Sequence, residues 1–280
     1  MVLEIAVKFM RPEPRTAVEL DVVPKLFHRR AVHDLYTVHV DSTQILTVAT
    51  RDDNIAGKWL TEVLKSTSSN TKPLNPNPEF RPDSIFVGLI ADMDYEVYGP
   101  GGLQDHPYEL LTFCVGSHCL MYSLPWPDYP GTPKVVKAFF ENPRVVVLGR
   151  DMAKVANKLK KTHGIEIRKA VDLNELAIRG MKRDDLDLGR YDLDRLAMTV
   201  LGKHFDVIRP EEKLYEWWTY EEGIYGQDSY DERLCDEKVK FSTLDTHLCL
   251  LIGTALAEAI HGARFSGATK KKKKATKRSQ

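Results

Sequence analysis

Two apolar runs, residues 109–115 and 118–124, are separated by nothing but Gly116-Ser117. A two-residue link containing glycine closes a tight antiparallel hairpin and leaves no room for a crossover. An earlier run, 85–91, reads as another strand and ends in Asp92-Met93-Asp94. Beyond the hairpin the pattern changes to a helix over 133–141, a strand over 144–148, a helix over 152–163, a short strand at 165–167, and helices around 173–179 and 193–201. Three antiparallel strands followed by strand–helix units predict a mixed α/β fold with one central sheet flanked by helices. Upstream, 36–40 and 45–49 read as a hairpin and 53–64 as an amphipathic helix, with a Ser-, Asn- and Pro-rich loop or linker over 66–82. The expected division is an N-terminal extension (1–33), a strand–hairpin–helix extension with its linker (34–82), a main domain (83–262) and a disordered polybasic tail (263–280). The chain shows no internal repeat.

Composition narrows the function classes. With 280 residues and 42% apolar content the chain can bury a substantial core. No apolar stretch reads as membrane-spanning and the N-terminus lacks a secretory segment, so a soluble intracellular protein without a membrane partner is expected. Cys114, Cys119, Cys235 and Cys249 form no CxxC pair and read as reduced thiols. The net charge of zero hides an asymmetry, because seven Lys and Arg lie in the last eleven residues and leave the remainder at −7. An acidic body is a poor general binder of phosphate backbones, although a local basic groove is compatible with it. The lysine tail reads as a nuclear-import or nucleic-acid patch, which gives an expected location in the nucleus and also the cytoplasm.

Asp245 lies within the apolar stretch 241–256, four residues from both Phe241 and Cys249 and so on one helical face with them. A buried carboxylate costs several kcal/mol unless something pairs with it. Asp92 and Asp94 would share one face of a strand, since side chains alternate with period two. Together, Asp92, Asp94 and Asp245 suggest a divalent-metal site. The alternatives are a strand end leading into a turn for the first two, and a structural bond to a His or Lys for Asp245. His118, Cys119, His247 and Cys249 lack zinc-finger spacing and read as a core Cys with a satisfied or exposed His. Trp217-Trp218, with Tyr215, Tyr220 and Tyr225, could stack bases, but Glu211, Glu212, Glu216, Glu221 and Glu222 would repel phosphates. Packing against the domain, with a protein partner at this insertion, is the favoured reading.

From about Asp83 to Glu258 the chain resembles the 3'-5' exonuclease domain of the Werner-syndrome type, in the DEDD superfamily with a ribonuclease H-like fold. The residues that carry the resemblance are Ile85-Phe-Val-Gly88, Leu111-Thr-Phe-Cys-Val115, Cys119-Leu-Met-Tyr122, Val145-Val-Val-Leu-Gly149, Gly164-Ile-Glu-Ile167, Asp172-Leu-Asn-Glu-Leu-Ala177, Leu193-Asp-Arg-Leu196 and Phe241-x-x-x-Asp245. The upstream hairpin and helix resemble the extension of small plant homologues. The family holds two Mg²⁺ or Mn²⁺ ions with four carboxylates and places the attacking water with a tyrosine. Asp245 matches the last acid, and Phe241 stands at the tyrosine without its hydroxyl. The first motif falls on Ile90 and Asp92, or, with two residues inserted, on Asp92 and Asp94. The second-motif acid falls on Val155, with Asp151 nearest and suited to capping the following helix. The resemblance implies a metal-dependent exonuclease acting on DNA or RNA 3' ends or single strands if active, with Asp92, Asp94, Asp245 and Phe241 at the site. The alternative is a pseudo-nuclease that binds nucleic acid or protein as an adaptor.

Overall fold

The computed structural model describes residues 5–10, 33–66, 80, 83–93, 107–125, 134–203, 217–221 and 231–276. The strands are β1 (Ile5–Met10), β2 (His33–Val40), β3 (Thr43–Thr50), β4 (Ile85–Asp92), β5 (Leu110–Val115), β6 (His118–Ser123), β7 (Val145–Gly149), β8 (Ala170–Asp172), β9 (Trp218–Glu221) and β10 (Asp231–Leu234). The α-helices are α1 (Asp53–Ser66), α2 (Lys134–Glu141), α3 (Met152–His163), α4 (Leu173–Met181), α5 (Leu193–Leu201) and α6 (Asp236–Thr276). Among the described residues eight strands form one sheet in the order β1-β2-β3-β6-β5-β4-β7-β8, and β9 pairs with β10 separately.

Within this sheet β6-β5-β4-β7-β8 carries the fold. β5 runs antiparallel to both β4 and β6, while β4, β7 and β8 are parallel. Hairpin neighbours first and crossover neighbours after is the ribonuclease H-like arrangement, with helices on both faces of a mixed sheet. Period-two alternation sorts the side chains of β4: Ile85, Val87 and Leu89 join the core under α1, α2 and α3, whereas Phe86 and Ile90 pack toward α4, α5 and α6. Gly88 also faces α6. A Cβ there would overlap the carbonyl oxygen of Thr246, so glycine lets the helix backbone lie directly on the strand.

Several expectations need correction. The described part of the segment 34–82, read as separate from the main domain, shares that domain's sheet and core through residues 34–66 and Phe80. β3 pairs parallel with β6, from Leu46 opposite His118 to Thr50 opposite Tyr122. Thr47 and Thr243 hydroxyls meet at 3.1 Å in the interior, and the Tyr36 hydroxyl donates to the Leu234 carbonyl at 3.2 Å. Residues 165–167 form no strand. Gly164, at φ 62°, ends α3, after which Ile165 is buried and Ile167 half-buried, and ladder pairing begins only at Ala170. Their alternation records anchoring of a connection to the core.

Asp151 does not cap α3 with its side chain. The Met152 N–H donates instead to Asp172 Oδ2 at 3.3 Å, while Asp172 also caps α4 through Asn174 and Glu175. Residues 263–276, expected to be disordered, continue α6, consistent with the helix propensity of Ala and Lys. A stretch of membrane-spanning length and apolarity does exist, Asp236–Ile260, and about two thirds of its apolar window is buried as the central helix of the core. Such a helix is apolar nearly all round because sheet covers one side and α4 and α5 the other.

Candidate functional site

Asp92, the last residue of β4, points toward the first turn of α6. There the Lys238 ammonium reaches Asp92 Oδ2 at 2.9 Å, and the Ser242 hydroxyl, one turn on, lies 3.4 Å from the same oxygen. The Lys238 side chain is 2% exposed and that of Asp92 17%, so this ion pair is largely removed from water. The ammonium also sits 3.7 Å from the ring centroid of Trp217. Trp217 is buried and is held in place by the Cys235 N–H, which donates to its carbonyl at 2.8 Å. A lysine in the first turn opposes the positive end of the helix dipole. Asp236 and Glu237 in the same turn, the carboxylate of Asp92 and the face of Trp217 offset that repulsion.

The sequence-derived candidates come together only in part. Phe241 is half-buried on α6, with Lys240 Nζ 5.3 Å over its ring. Asp245 is half-buried one turn further along. It lies close enough to Cys249 that burial first, and then the carboxylate, push that thiol well up from its ordinary value. Asp94 lies outside the described residues. Ile90 faces α6 as an apolar side chain, and Val155 packs into the opposite core layer with α3. Among the described residues no three His, Cys, Asp or Glu side chains are grouped to hold a metal ion.

Two-metal phosphodiester chemistry needs converging carboxylates with coordination positions open to phosphate and water. The described residues do not fit that requirement, because an internal ammonium already sits on Asp92. Lys238 was missed in the sequence. Its signal was its spacing, four residues before Ser242 and seven before Asp245, which puts it on their helical face.

A thiol cluster also lies under α6. Cys114 and Cys119 are directly opposite on β5 and β6, both fully buried, and His247 Nδ1 lies 3.7 Å from Cys114 Sγ. Burial alone would raise the Cys114 thiol, but hydrogen bonds from Cys119 and His247 and the charge of His247 bring it down to about 6. Burial and Cys114 raise Cys119. All four cysteines are buried free thiols, and His118 is exposed on the other face of its strand from Cys119.

No protein-family model and no curated protein matches the chain. Solved structures of the EXD2 exonuclease domain are similar to it. The domain soaked in Mn is 17% identical over 76% of this chain and 90% of that chain, with a TM-score of 0.37. The domain soaked in Mg and GMP is 15% identical over 78% and 94%, at 0.36. A further crystal structure of the EXD2 exonuclease domain is 16% identical over 78% and 94%, at 0.37. Strand order and direction in the sheet define the fold.

Proposed function

We propose that this chain is a nuclease-fold protein that binds nucleic acid without cutting it. The Lys238–Asp92 pair carries the reading: a fixed ammonium balances the carboxylate at the strand end that a catalytic cation would need. Three further positions agree with it. Val155 is apolar where the resemblance puts an acid, as is Ile90 when the first motif is matched without an insertion, and Phe241 has no hydroxyl with which to orient a water. A fold that keeps its shape while its reacting groups are replaced by apolar and internally paired ones is suited to holding a strand or a partner protein.

The test is degradation of a 3'-labelled single strand and of a recessed duplex in Mn²⁺, with wild type beside Asp245→Ala. Binding of both substrates with no laddering is the expected result. Laddering by the wild type that disappears in Asp245→Ala would overturn the reading in favour of a working exonuclease built on Asp92, Asp94 and Asp245.

A further inference from the structure

Residues 134–169, which run from α2 through β7 and α3 to the start of β8, hold ten Lys and Arg against three Asp and Glu. That is seven net positive charges in one contiguous piece of the fold. The whole chain sums to zero and the C-terminal lysines supply another seven, so everything else carries −14. The protein is therefore strongly segregated in charge, and its basic part is folded.

Helix α3 arranges these charges in a line. Its apolar face, Met152 and Leu159, is buried against the sheet. Lys154, Lys158 and Lys161 follow at i, i+4 and i+7 on an adjoining face, with Cβ atoms about 5 to 6 Å from one to the next. Lys154 and Lys161 are exposed, as are Lys160 and Arg168. Lys158, half-buried, lies 4.8 Å over the Tyr108 ring and 2.8 Å from Met93 Sδ. Met93 directly follows Asp92, so the lysine line runs to the end of the strand that carries the candidate site.

Helix stability explains only part of this pattern. Lys160 and Lys161 in the last turn suit the negative end of the dipole, but Lys154 sits near the positive end, where a cation is disfavoured. A membrane surface is a poor occupant as well, because the apolar side of α3 is already committed to the core.

We propose that the α3 lysine line, with Lys137 of α2 beside its C-terminal end at Gly164, is the surface on which a single-stranded nucleic acid lays its phosphates on the way to the end of β4. The inference rests on the nucleic-acid-binding reading above and gives it a location. The strand is held by charge on a rigid helix, and the acidic remainder of the protein repels it elsewhere.

The experiment is fluorescence-anisotropy binding of the full chain to a labelled single-stranded oligonucleotide across a salt series. It compares wild type, K154E with K161E, a charge-matched control of R190E with R195E on the exposed α5 side, and a chain ended after Gly267. Melting curves confirm that each variant is folded. K154E with K161E should weaken binding at least about tenfold and flatten the salt slope by about 1.4, or about 0.7 for each phosphate no longer neutralised, while the control changes little. Unchanged affinity and slope in K154E with K161E, or an equal loss in the control, would overturn the lysine line while leaving nucleic-acid binding intact. Absence of any binding by the wild type would instead remove the functional reading and this inference together.

Discussion

Lys238 is the residue on which the chemistry of the site turns, and its energetics are one-sided. An ion pair this deeply buried gains little net stability over an apolar replacement, but removing one partner strands the other charge. Lys238→Met should therefore destabilise the protein by about 3 to 5 kcal/mol. Lys238→Met combined with Asp92→Leu should recover most of that loss. Urea unfolding of both single variants and the double variant measures the coupling, and simple additivity would show that the pair is not the unit described. At this scale the sequence was partly legible. Asp92 and Asp245 stood out because an acid beside apolar residues demands a partner. Lys238 did not, because Asp236-Glu237-Lys238-Val239-Lys240 reads as a charged, solvent-facing turn until β4 and Trp217 close over it.

Among elements, the decisive contact is α6 lying on β4. Its closeness depends on Gly88, where any Cβ meets helix backbone that no rotamer change can move. Gly88→Ala should cost about 3 kcal/mol, since relief requires shifting the helix itself. It should also displace Lys238 and Ser242 from Asp92. A thermal melt checks the first effect. A variant as stable as wild type would show that the approach is looser than described. The sequence placed α3 and α5 at their observed bounds, because hydrophobic periodicity is local. It misread 165–167 and the role of Asp151, because the first depends on what the core covers and the second on Asp172, twenty residues away.

For the whole molecule, the upstream hairpin is structural. β3 completes the sheet beside β6, and Tyr36, Val38, Ile45 and Ala49 belong to the same apolar cluster as α6. A chain begun at Asp83 would bare the β6 edge and one flank of that core. Such a chain should lack a cooperative unfolding transition and bind a hydrophobic dye; a sharp two-state melt from it would contradict a shared core. The same scale explains the charge. Net neutrality conceals a basic α2–α3 piece, a basic C-terminus and an acidic remainder, and the lysines of α3 form a line because a helix turns once every 3.6 residues.

The sequence by itself determined the hairpin, the mixed α/β class and most of the elements from β2 to α5, because turn chemistry and hydrophobic periodicity act over a few residues, although it placed a strand at 165–167 rather than at Ala170–Asp172. Only the tertiary structure decided that residues 33–66 belong to the central sheet and that Trp217 is a buried wall of the site. It alone also showed that Asp92 faces an ammonium. Each of these depends on groups far apart in the chain, such as Asp92 and Lys238, 146 residues from one another. Their meeting is set by how α6 packs across the sheet, which no local pattern encodes.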